Sequence, residues 1–91
     1  MHTVKDKARL MARVRRIKGQ ADALERALEA ELGCADVLML AASMRGAVNG
    51  LTAEIMEDHI RHHIIDPDKD PHSAHAKGTA ELIEVVRTYL K

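Results

Sequence analysis

Cys34, His59 and His63 are the residues whose types and spacing promise chemistry in this 91-residue chain. A thiolate and neutral imidazoles are ordinary ligands of borderline divalent metals. His59 and His63 stand four apart, so on a helix their rings share a face one turn from each other and can hold one ion. Cys34 precedes His59 by 25 residues, a separation of about 38 Å inside a continuous helix. One chain therefore cannot close the set. Two antiparallel copies can, because the start of one helix then lies beside the end of the other, giving two equivalent sites per dimer. His2 offers a fourth ligand. The amine of Met1 offers a fifth, since Met is normally kept ahead of a residue as large as His. One thiolate, three imidazoles and an amine suit Ni(II), Co(II) or Zn(II), whereas Cu(I) would prefer more sulfur. His62, about 100° further round the axis, is expected to face solvent, and His72 and His75 are expected in a loop.

The elements that must position these groups are helices. Leu10, Val14, Ile17, Ala21, Leu24 and Leu28 recur at steps of three and four, the period of an amphipathic helix. Val37, Ala41, Met44, Val48, Leu51 and Ile55 repeat the pattern, and Leu82, Ile83, Val86, Tyr89 and Leu90 form a third series. The spacing predicts one domain spanning residues 1–91, with helices over about 4–31, 34–64 and 76–90. Gly33 is expected to cap the first helix. The run Asp66, Pro67, Asp68, Lys69, Asp70, Pro71 should end the second, because the residue before each Pro is pushed out of the helical region. Gly46, Asn49 and Gly50 interrupt an otherwise helical fill, either to admit a neighbouring helix closely or as a hinge.

Composition restricts the rest. There is no Trp or Phe and one Tyr, so the core must be built from aliphatic residues and Met. A chain this short buries little surface alone, and two long helices with a short third cannot cover their own apolar faces. The expected fold is therefore all-α, a three-helix protomer in an antiparallel dimer forming a helical bundle, with further stacking of dimers. No run approaches the roughly 18 apolar residues of a membrane span, and the single Cys points to a free thiol in a reducing, cytoplasmic setting. Net charge is zero, but residues 1–18 hold seven basic side chains against Asp6 alone, a balance of +6. The rest of the chain carries −6. Such segregation makes the first helix a footprint for a polyanion.

The string Arg13-Val14-Arg15-Arg16-Ile17-Lys18-Gly19-Gln20, then Cys34, then Arg45-Gly46-Ala47-Val48-Asn49-Gly50-Leu51, then His59 and His63, resembles the CsoR/RcnR family of metal- and stress-responsive repressors over nearly the whole chain. The resemblance implies a dimer of dimers, a homotetramer that binds operator DNA without a helix-turn-helix and leaves it when inducer binds, switching on an efflux or detoxification gene. It implies DNA contacts from Arg13 and Arg16, with Lys18 and Arg45 as additions. Copper sensors of the family carry Cys where His63 stands, and persulfide sensors need two cysteines. The combination His2, Cys34, His59, His63 is similar to the nickel and cobalt sensors, so Ni(II) or Co(II) is the expected inducer, with Zn(II) also within range of the donors. Formaldehyde sensors keep the Cys but typically have Pro at position 2 and an acid at position 63. The RVRRI, ALER and VRTYLK segments nonetheless look close to that branch, which leaves formaldehyde sensing through Cys34 and the N-terminal amine as the alternative.

An enzyme is not expected. A metal-dependent hydrolase would need an open coordination position and a general base such as Glu54, Glu57 or Asp58, and no loop-built pocket is legible. A purely structural bundle is the remaining rival; it would bind neither metal nor DNA tightly.

Overall fold

The structure is a computed structural model and describes residues 4–64 and 72–90. It contains helices α1 (Val4–Glu29), α2 (Cys34–His59) and α3 (Ala74–Leu90), with one π-helical turn, Ile60–Ile64, continuing α2. His2 and the Asp66–Pro71 run lie outside the described residues. α1 and α2 form an antiparallel hairpin, whose register is set where Arg9 and Arg13 meet Glu54 and Gln20 meets Ser43. α3 packs across the far end of α2, where Ala53, Ile60, Ile83 and Val86 make the core.

The helix ends show where local chemistry overrules periodicity. α1 stops at Glu29 rather than near 31, and its cap is Glu31, not Gly33. Glu31 sits at φ 55, its N–H donates to the Leu28 carbonyl at 3.1 Å, and the Leu32 N–H donates to the Ala27 carbonyl at 3.0 Å. This pair of bonds is the Schellman arrangement, which normally takes Gly at the left-handed position. Gly33 is extended instead, at φ −58 and ψ 152, and is the N-cap of α2. A side chain in the left-handed region costs about 1 kcal/mol or more. Glu31→Gly is therefore expected to stabilise the fold by about 0.5 to 1 kcal/mol, with part of the gain lost to the freer unfolded chain. An unchanged or lower denaturation midpoint would contradict this cap assignment.

α3 begins two residues before the expected 76 because the Ser73 hydroxyl accepts the Ala76 N–H at 3.0 Å, satisfying one orphan donor of the first turn. His75, expected in a loop, accordingly lies in α3. α2 is continuous as a helix through Gly46–Gly50, and the irregular turn falls at Ile60–Ile64. At Gly50 a Cβ would come within 3.1 Å of the Arg13 guanidinium, so smallness there admits a neighbouring side chain; at Gly46 a Cβ would meet nothing among the described residues within 4 Å beyond its own helix backbone.

The hairpin and α3 lie nearly in one layer, 55 × 27 × 13 Å. The radius of gyration is 17.1 Å, against about 12 Å for a compact chain of this length. The exposed surface is 6703 Å², against about 5300 Å² for a compact protein of this mass. One helix layer has no interior side for a stripe to face. Leu10 is buried, but Val14, Leu28, Val48 and Ile55 from the periodic stripes are exposed, and Leu38, Met39 and Tyr89 are more than two-thirds exposed.

Candidate functional site

Cys34 is the first residue of α2 and His59 its last. Both are exposed, and Cys34 is a free thiol. The helix between them is uninterrupted, so the rise alone separates them by about 38 Å. His63 follows in the π turn, its side chain outside what is described, as is His2. The wider π turn departs from the uniform helix assumed for the His59 and His63 spacing, and such turns occur frequently at functional sites. Within one protomer the structure thus does not bring Cys34 and His59 together. These donors fit a metal only where a second chain supplies the other half of the set.

The basic segment divides into two faces. Arg9 and Arg13 turn toward α2 and both hold Glu54, whose side chain is only 15 % exposed; Arg9 also reaches Asp6 at 3.3 Å. The hydrogen bond to Glu54 raises the Arg9 pKa above its already high value, so this guanidinium stays charged at any physiological pH. Lys5, Lys7, Arg15, Arg16 and Lys18 are exposed, as is Arg45 on α2. The Gln20 amide donates to the Ser43 hydroxyl at 3.0 Å, which sets Lys18 and Arg45 level with each other across the hairpin. Arg16 lines a cavity of about 590 Å³ between α1 and α2 with Gln20, Ser43 and Gly46. Sequence reasoning counted Arg9 only as part of the charge. The i,i+3 spacing of Asp6 and Arg9 was the available sign that it is engaged.

The acidic residues considered as general bases are ion-pair partners instead. Glu57 accepts from Arg87 at 2.5 Å and from Arg61 at 3.3 Å, and this pairing raises the Arg87 pKa. Asp58 meets His62 Nε2 at 3.2 Å. His62, expected to point into solvent, is 36 % exposed and turned onto Asp58. These groups, with Asp6, Arg9 and Arg13, surround a cavity of about 500 Å³.

A family described as metal-sensitive transcriptional repressors matches residues 6–88. The chain belongs to this family. Its members are metal-sensitive repressors of transcription and are not enzymes, so DNA is the partner at the level the family defines. The chain is 49 % identical over 90 residues to an uncharacterised protein from the bioA 5′ region of Serratia marcescens, covering 99 % of this chain and 98 % of that one. It is 36 % identical over 90 residues to the transcriptional repressor RcnR of Salmonella paratyphi B, with the same coverage. Among solved structures it is similar to a variant of the formaldehyde-responsive regulator FrmR from Salmonella enterica serovar Typhimurium. There the TM-score is 0.70 and the identity 38 %, covering 98 % of this chain and 99 % of that one. The all-α protomer is that of the family. Among the described residues, no helix is long and apolar enough to cross a membrane.

Proposed function

We propose that this repressor releases its operator in response to Ni(II) or Co(II), held between subunits by Cys34 of one chain with His59 and His63 of another, and by His2. The observation that carries this reading is the placement of Cys34 and His59, both exposed, at opposite ends of one uninterrupted helix. A second copy laid antiparallel supplies what each end lacks. It would also cover the apolar side chains that one layer leaves in solvent, Val14, Val48 and Ile55 among them, and pairing of such dimers gives the homotetramer. The donor set, one sulfur with several nitrogens, matches borderline divalent ions. When bound, the ion supplies a Lewis-acidic centre that fixes its donors at coordination distance.

DNA is held by Arg16, Lys18 and Arg45, with Arg13 contributing where it exchanges Glu54 for phosphate. With no aromatic platform beside these residues, their contacts are chiefly to phosphate, and DNA shape supplies selectivity. His2 precedes the start of α1 at Val4 by two residues. Its recruitment to the site draws that helix end and redirects its basic face, so the induced conformation binds DNA less well. Coupling of this kind is typically about 1 to 3 kcal/mol, or about 5- to 150-fold.

Titrating the apo-repressor on promoter DNA separately with Ni(II), Co(II), Zn(II), Cu(I) and formaldehyde tests the assignment. Release by Ni(II) or Co(II) is expected; release by formaldehyde alone overturns it. His2→Ala is expected to keep the metal bound while DNA affinity no longer responds to it, and a full response in this variant would remove His2 from the coupling.

A further inference from the structure

We infer that Asp6, Asp58 and His62 form a second divalent-cation site, built within one subunit and separate from the shared thiolate site. One ligand atom of each of the three side chains lies within 4.8 Å of the others. Two donors on opposite sides of an ion, each at about 2.1 Å, are about 4.2 Å apart, so small side-chain adjustments close the set around one ion. The ligands come from two elements. Asp58 and His62 are i,i+4 neighbours at the junction of α2 and the π turn, 3.2 Å apart, and Asp6 stands in the first turn of α1. Their positions follow from the hairpin register that Arg9, Arg13 and Glu54 hold.

The site is also shielded. The Asp6 and Asp58 side chains are 18 % and 11 % exposed, while His62, at 36 %, leaves the outer side open to water ligands. The Arg9 guanidinium is shared between Asp6 and Glu54. Four carboxylates and four guanidiniums line the surrounding cavity, so an entering cation meets no net positive charge. Two oxygens and one nitrogen with room for water suit Mn(II), Co(II) or Zn(II), and the absence of sulfur separates this set from the one containing Cys34. An ion here ties the start of α1 to the end of α2, the helix end that precedes the DNA-facing residues.

Mn(II), which binds thiolate poorly, is the discriminating probe. Adding it to the full-length protein and to Cys34→Ala, with free Mn(II) read by electron paramagnetic resonance, is expected to show a single bound ion per chain in both. Asp6→Asn, Asp58→Asn and His62→Gln are each expected to weaken binding by about tenfold or more. On the unsubstituted protein, Mn(II) is expected to broaden the amide resonances of residues 4–8 and 57–62 before others, a readout that depends on no variant. Absence of binding at about 1 mM, the weak end for carboxylate-rich sites, would overturn the proposal. So would binding indifferent to Asp6→Asn, which would leave only a helical Asp58 and His62 pair, or binding lost in Cys34→Ala, which would assign the ion to the thiolate site. The proposal does not rest on the inducer assignment, and loss of the operator response in Cys34→Ala leaves this measurement unaffected.

Discussion

Raising the salt from about 50 to about 200 mM is expected to weaken operator binding by about a thousandfold. The expectation follows from where the basic side chains stand. Lys5, Lys7, Arg15, Arg16 and Lys18 are exposed on α1, and an assembly of several chains presents them repeatedly to one duplex. If about six phosphates are neutralised, log affinity falls against log salt with a slope of about −5. Fluorescence anisotropy of a labelled operator over a potassium chloride series reads this slope, and a value near zero would remove α1 as the DNA-binding surface. Variants sharpen the test. Arg16→Ala removes an exposed charge from every chain and should flatten the slope, whereas Arg9→Ala removes a guanidinium already committed to Asp6 and Glu54 and should leave the slope nearly unchanged. Equal effects from both would mean that the ion pairs of the hairpin open on DNA.

That contrast between Arg9 and Arg16 marks the boundary of what the sequence discloses. Helix period depends on local spacing, so the stripes beginning at Leu10, Val37 and Leu82 are enough to place three helices. The left-handed turn at Glu31 is not legible, because Gly33 two residues on is the better candidate by composition and only the hydrogen bonds decide between them. The π turn at Ile60–Ile64 leaves no mark in the apolar pattern. Burial is legible only as intent: Val14, Val48 and Ile55 keep the period of a buried face, yet are exposed because the chain forms a single layer. The ion pairs of Glu54 and Glu57 and the Asp6, Asp58, His62 cluster depend on the register between helices, which periodicity does not supply. By contrast the separation of Cys34 from His59 needed only a helix and a count of residues.

The same separation makes a mixing experiment the sharpest test of a shared site. Cys34→Ala is expected to weaken Ni(II) or Co(II) binding by more than about 100-fold, since loss of a ligand should exceed the 10- to 100-fold cost of disturbing a ligand's support. The sulfur charge-transfer absorption should vanish with it, and so should release from DNA. A chain carrying both His59→Ala and His63→Ala should be equally inert. If each site takes Cys34 from one chain and the two histidines from another, the two inert proteins complement each other once their subunits exchange. A mixed dimer has one site with every ligand intact and one with none of the three. Random exchange puts half of the dimers in this class, so about a quarter of all sites should recover metal binding and sulfur absorption. A site closed within one chain predicts no recovery at any mixing ratio. Recovery would therefore establish the antiparallel pairing and the ligand set together, because no arrangement that keeps Cys34 with its own His59 can complement.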